Sequence, residues 1–330
     1  MIESYIHSIA QMLLYIWAAP GVVGLLRSVR ARLQGRQGAK IHQPYLDLRK
    51  LLRKRAVLPE RCSWVFVAAP LMVFLSYSLI GLMLPIVFLP PEQEIFSENG
   101  APLADLLVIF YLLVAARFML GLAGFDAASP FGGMGSSREM FVNVISEPTL
   151  IMAAYAMAMS AHTTSLPGII QYRLHLSPGD FLTNPSFLLV VCSLYIVMLA
   201  ETGRIPFDNP DTHLELTMMG KAIALEYSGF LLAFLEWAEA MRLMFFMTLI
   251  LNLLLPVMIF GGEDFWRVLV AVVLYFLRLI GLVVFVAVWE LTRVKLRLRA
   301  IVNPAVIAFI FSILAVVVAV SSNYFSEEGF

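Results

Sequence analysis

Apolar residues fill eight long stretches of the chain, separated by segments where Lys, Arg, Asp, Glu, Gly and Pro gather. The stretches run over residues 5–26, 64–89, 103–124, 143–161, 186–203, 237–260, 265–291 and 303–321. Each is close to the roughly 20 residues a helix needs to cross ~30 Å of hydrocarbon. The pattern predicts an all-α, polytopic membrane protein of about eight transmembrane helices, forming one membrane domain over residues 1–330. Stretches 64–89 and 303–321 carry no charge, whereas 143–161 is interrupted by Glu147-Pro148. Glu3 and His7 stand where a signal peptide would carry basic residues, so the first stretch is read as a retained helix. Segment 162–185 reads as a loop that includes a short amphipathic helix.

Composition agrees: 60% of residues are hydrophobic and 14% charged, against about 25% charged in an ordinary soluble domain. The net charge is zero, from 23 Lys+Arg and 23 Asp+Glu, and gives no basic excess for nucleic acid. The zero is an average over two faces. Segment 27–61 holds eleven basic residues, the loop 293–299 adds Arg293, Lys295, Arg297 and Arg299, and Arg138, Arg204 and Lys221 fall on the same side. The opposite loops hold Arg173 and Arg267 beside Glu92, Glu94, Glu98, Asp180, Glu263 and Asp264. Short cytoplasmic loops accumulate Lys and Arg, so both termini are expected outside. No internal repeat is visible, which argues against a stand-alone carrier of the inverted-repeat kind.

Two cysteines, Cys62 and Cys192, and five scattered histidines offer no metal-ligand spacing. No metal site is expected in this chain. The chemistry that stands out is ionisable residues inside apolar stretches, which cost about 2.5–3.5 kcal/mol each on insertion scales. Arg117 lies in the third stretch, Arg278 at the centre of the seventh with Glu290 near its end, Glu147 opens the fourth and Glu201 closes the fifth. For Arg278 an internal ion pair or a hydrated cavity is expected. The segment 201–239 mixes Glu201, Asp208, Asp211, Glu215, Glu226, Glu236 and Glu239 with Met, Leu and Phe, so it is expected to pack into the protein. Carboxylates in such surroundings exchange protons near neutrality and suggest a proton-conducting cluster. Gly229 is expected to supply a left-handed turn. Segment 125–139 (FDAASPFGGMGSSRE) reads as a loop; it has no phosphate-loop spacing. In the first basic loop, Leu46, Leu48, Leu51 and Leu52 interleave with charges, as in an amphipathic surface helix able to dock a soluble partner or contact lipid.

At these residues the chain resembles a known family. Gln43-Pro44, Asp47, Lys50-Leu51 and Lys54 are similar to the first-loop motif of the membrane-arm connecting subunit of respiratory complex I (NADH-quinone oxidoreductase), which joins the two arms of that complex. Ala200-Glu201-Thr202-Gly203-Arg204-Ile205-Pro206-Phe207-Asp208 resembles that family's AETxRxPFD motif, and Glu215-Leu216 and Glu226-Tyr227-Ser228-Gly229 continue it in order. Complex I members usually carry a further acid where His213 stands. With NPDTHLELTM and SPFGGMGSSRE, that departure is closer to the membrane anchor of formate hydrogenlyase-type, energy-converting [NiFe]-hydrogenases. The resemblance implies a non-catalytic subunit of the prokaryotic inner membrane. Its [NiFe] centre and iron–sulfur clusters would sit on hydrogenase large and small subunits and a ferredoxin-like subunit, with antiporter-like subunits beside it in the bilayer. It implies a proton pathway through Glu201, Asp208, Asp211, Glu215 and Glu226, more loosely Glu139 and Glu147, with His213 interrupting a quinone-coupled route. Arg36, Gln43, Asp47, Lys50, Lys54 and Arg204 would form the docking face. The alternative is the equivalent subunit of a quinone-reducing complex.

Overall fold

Helices form at all eight predicted stretches in a computed structural model that describes residues 2–60, 62–89, 104–176, 185–208, 219–256, 259–260 and 265–327. In chain order they are α1 (Ile2–Leu33), α2 (Gln43–Leu52), α3 (Trp64–Met83), α4 (Leu106–Asp126), α5 (Pro130–Ala161) and α6 (Leu166–His175). After these come α7 (Ser186–Glu201), α8 (Gly220–Ala224), α9 (Gly229–Leu254), α10 (Phe265–Thr292) and α11 (Val302–Glu327). Seven of them are long and apolar enough to cross a membrane, and α7 is a shorter apolar helix of 16 residues. The protein is an all-α polytopic membrane protein, with seven full-length candidate spans among the described residues where eight were expected.

Three boundaries differ from the sequence expectation, each for a local reason. Segment 125–139 is helical rather than a loop from Pro130 onward. Ser129 caps the new helix by accepting the Gly132 N–H at 2.9 Å, and Pro130 occupies the first turn, where its missing N–H costs nothing. The glycines there serve packing: a Cβ on Gly132 would stand 2.4 Å from the Gly124 carbonyl oxygen of α4. At the other boundary, α9 begins at Gly229 instead of 237, which brings Glu236 onto the same helix as Glu239. Gly229 has φ +58°, and a Cβ would lie 2.4 Å from the Arg55 carbonyl oxygen, so both turn and contact require glycine.

The stretch 64–89 leaves the helix at Leu84, whose extended backbone precedes Pro85. Buried Ile86, Val87 and Leu89 and half-buried Phe88 continue beyond the helix, and Phe88–Leu89 pair in parallel with Ile259–Phe260. Hydropathy alone cannot separate such a segment from a helix. The buried backbone is satisfied by Gln11, whose Oε1 accepts the N–H groups of Ile86, Val87 and Phe88 at 2.7–3.1 Å.

Helix α9 is the hub. Its most apolar window is 83% buried, against 22% for α10. Tyr15 and Trp237 stitch α1 to it, through Tyr15 O–H to the Met241 carbonyl (2.5 Å) and Trp237 Nε1–H to the Ile16 carbonyl (2.8 Å). Its C-terminus is met by two guanidinium groups. Arg173 of α6 donates to the Leu253 and Leu254 carbonyls at 2.9 and 3.3 Å, and Arg278 of α10 donates to the Leu255 carbonyl. Cations are favoured at this negative end of the helix dipole. Burial lowers the pKa of Arg173 from its ordinary value.

Candidate functional site

Charged groups converge at the end of the bundle that carries the basic loops. The deepest is an ion pair between Arg117 of α4 and Glu201, the last residue of α7, both nearly inaccessible at 2% and 3% exposure. Polar side chains of α5 complete its shell. Arg117 donates to Asn143 Oδ1 at 2.9 Å and to Ser146 Oγ at 3.3 Å, while Ser146 donates to Glu201 Oε1 at 2.9 Å. This is the pairing a buried charge requires. Glu147, the next residue, is half-buried and within electrostatic reach of Arg117 and Glu201.

A second group lies on α9. Glu236, Glu239 and Arg242 follow one another at three-residue steps and therefore share a helix face. Lys221 of α8 is bound by Glu236 at 3.0 Å and by Glu239, and Arg242 faces Glu139 of α5 at 3.7 Å. Burial works against the Lys221 ammonium, but Glu239 and Glu236 outweigh it and hold its pKa above the ordinary lysine value. This group forms one wall of a cavity of about 650 Å³. The opposite wall comes from α1 and α2 through Arg27, Arg30, Asp47 and Leu48, and Arg204 closes one side. The lining therefore carries both signs of charge among apolar side chains such as Leu26, Leu51 and Leu243.

The rim of this cavity is clamped by Glu290. Its carboxylate, fully buried, accepts from Arg204 at 2.7 Å and from Arg30 at 3.3 Å, joining α10 to α1 and to the segment after α7. Beside it, Lys295 bonds Asp208 at 2.6 Å, and Asp208 also accepts the Met219 N–H at 3.1 Å.

The predicted pathway residues do not form one cluster. Glu201 and Glu139 belong to the two groups above, Asp208 to the rim, and Glu226 accepts from Ser129 at 2.5 Å where α5 begins. Tyr227 and Ser228 next to it are fasteners: Tyr227 stacks on Phe66 with centroids 4.2 Å apart, and Ser228 Oγ accepts the Val57 N–H at 2.7 Å. Burial, then Asp126 and Cys62, raises the pKa of Tyr227. Asp211, His213 and Glu215 lie outside the described residues.

Arg278 is half-buried, and its guanidinium donates to the main-chain carbonyls of Leu274 and Leu255. One other expectation is corrected. Arg204 turns inward to Glu290 with its side chain only 12% exposed, where the sequence grouped it with the docking face. Arg36, Lys50 and Lys54 are exposed, and the half-buried Gln43 donates to Asp47 at 3.0 Å along the surface helix α2.

The sequence reading passes over Arg242, Tyr77 and the Asn143–Ser146 pair. For Arg242 the signal was present, as a cation inside a predicted span with acids three and six residues before it. Tyr77 carries no such mark.

A bundle of apolar helices with buried ion pairs and a charged cavity at its basic end defines a polytopic membrane protein with an internal charged site. The NADH dehydrogenase family model matches residues 6–321, and the chain belongs to that family. It is 28% identical to formate hydrogenlyase subunit 4 of Escherichia coli (strain K12) over 320 residues, covering 95% of this chain and 98% of that protein. Hydrogenase-4 component C of the same organism is 30% identical over 251 residues, covering 76% and 75%. An NADH-quinone oxidoreductase subunit of Rubrobacter xylanophilus is 30% identical over 230 residues, covering 64% and 63%. A chain in the structure of the membrane-bound sulfane sulfur reductase, an archaeal respiratory membrane complex, shares the fold, with a TM-score of 0.75 at 19% identity over 94% of this chain and 99% of that one. These relatives are subunits or components of larger assemblies.

Proposed function

We propose that the protein is the membrane subunit of an energy-converting, formate hydrogenlyase-type [NiFe]-hydrogenase complex in the prokaryotic inner membrane, with both termini outside. It anchors the redox arm at its basic end and relays protons between that arm and neighbouring antiporter-like subunits. The observation that carries this reading is the continuity of charge. The cavity under α2 is walled by Lys221, Glu236, Glu239 and Arg242, and Arg242 leads on to Glu139. The exposed basic residues of α2 and its flanks supply a face for hydrogenase large and small subunits and a ferredoxin-like subunit. In this reading the [NiFe] centre and iron–sulfur clusters belong to those partners, and this chain contributes proton-handling carboxylates.

Purification of the complex, with identification of its subunits and analysis for nickel and iron, tests the assembly; a complex without a [NiFe] subunit would overturn it. Glu239→Gln and Glu139→Gln test the relay. Each should leave assembly and electron transfer in place and abolish redox-linked proton movement in vesicles, and normal movement in both would reduce the charge groups to structure. A second reading, the corresponding subunit of a quinone-reducing complex, is favoured by the cavity volume, which falls in the range of small-molecule sites. Sensitivity of the purified complex to quinone-site inhibitors would select it.

A further inference from the structure

Between the two charge groups lies a second, much smaller cavity of about 10 Å³, lined by Tyr77, Arg117, Glu239 and Arg242 with Val73, Ala116, Leu120 and Leu235. Both groups reach its wall: Arg117 belongs with Glu201, while Glu239 and Arg242 belong with Lys221 and Glu139. Apolar side chains close the remainder. Four polar atoms of its lining residues are buried without a hydrogen-bond partner among the described residues, namely Tyr77 Oη, Arg117 Nε and Nη2, and Arg242 Nε, and of these Arg117 Nη2 is already ion-paired to Glu201. Tyr77 itself is 2% exposed, in the middle of α3.

An orphaned buried hydroxyl or guanidinium N–H costs roughly 1–3 kcal/mol, and native interiors rarely leave three such groups around one void. The void has the dimension of a single water, whose centre needs on the order of 10–15 Å³, and buried waters make two to four hydrogen bonds to groups of this kind. We propose that this cavity binds one structural water, that Tyr77 positions it, and that it joins the Arg117–Glu201 pair to the Glu239–Arg242–Glu139 group as one hydrogen-bonded network. The water accepts from an arginine N–H, donates to the Glu239 carboxylate and exchanges a hydrogen bond with Tyr77 Oη. Tyr77 is thus a positioning residue: its hydroxyl holds the water, and the water carries the hydrogen-bond connection between the two groups.

The inference rests on the proton-relay reading of the site, and the test separates the two. The conservative change Tyr77→Phe keeps the ring against its neighbours and removes only the hydroxyl. In the purified membrane complex, a density map resolving ordered solvent should show a water within hydrogen-bond distance of Tyr77 Oη in the wild type and its loss in Tyr77→Phe. With assembly and electron transfer retained, redox-linked proton movement by the variant should fall ~10-fold or more, in line with the loss of a positioned proton-transfer group. It should also gain a solvent isotope effect that the wild type lacks, which simple loosening of packing would not produce. A dry cavity in the wild type overturns the inference. So does undiminished proton movement in Tyr77→Phe when Glu239→Gln and Glu139→Gln are both defective. Undiminished movement in all three variants overturns the relay reading and this inference with it.

Discussion

The Arg117–Glu201 pair gives a prediction that separates the loss of one partner from the loss of both. Both side chains are inaccessible, at 1% and 0% exposure, so neither ion can be rescued by bulk water. Breaking a buried pair from one side typically costs about 3–5 kcal/mol. A guanidinium stays protonated at every workable pH, so Glu201→Gln leaves a fixed buried cation with only neutral partners, Asn143, Ser146 and the new amide. Arg117→Met leaves the Glu201 carboxylate with a hydrogen bond from Ser146 and without its paired cation. Each single variant should therefore lose about 3–5 kcal/mol, while the double variant Arg117→Met/Glu201→Gln, which buries no charge there, should lose clearly less than the sum of the two. The assay is SDS titration of the purified complex in detergent, each variant compared with wild type. Losses that simply add in the double variant would refute the reasoning.

Two further outcomes follow from the geometry. Lys221 remains an ammonium throughout the physiological range, because its raised pKa is left behind only at strongly alkaline pH, so it contributes charge and not a titrating proton. Lys221→Arg should then retain redox-linked proton movement with an unshifted pH profile and Lys221→Met should lose it; a changed profile in the arginine variant would show that the lysine proton is used. Arg278→Ala removes a cation and a donor from the end of α9, and should lower stability by about 1–3 kcal/mol, the cost of leaving a carbonyl unsatisfied together with the lost dipole term. Unchanged thermal stability of the assembled complex would show that the Leu255 carbonyl finds another donor.

Much of this arrangement is legible in the chain because the bilayer makes its demands locally. A run of some twenty apolar residues has few folded uses, so the eight helices stand at the eight stretches. What the runs do not contain is their ends. Those depend on single residues: Ser129-Pro130 starts α5 inside what reads as a glycine-rich loop, and Pro85 stops α3 inside a continuous apolar run. Both signals are present in the sequence, and both are outweighed in a reading that averages hydropathy over a window.

The site was legible in part for a related reason. An ionisable residue inside a span is costly enough that its position alone predicts a partner, and Arg117, Glu201 and Glu290 all have one. The identity of the partner is set by tertiary packing, and there the linear reading fails. Acids gathered in one segment, Glu201, Asp208 and Glu226, are dispersed to three different places, and the continuous line of charge is built from α8 and α9 instead. The face Glu236–Glu239–Arg242 was hidden because the span was drawn from 237, which cut Glu236 off from Glu239 and left the arginine unexplained. Restoring the helix to Gly229 puts the three on one stripe. Tyr77 is silent in sequence for the opposite reason, since a tyrosine in an apolar helix costs little to insert. Its role is defined only by the void beside it and the charges across that void. Expensive residues in a membrane protein therefore announce themselves along the chain, while the inexpensive polar groups that connect them become visible only when the helices are packed.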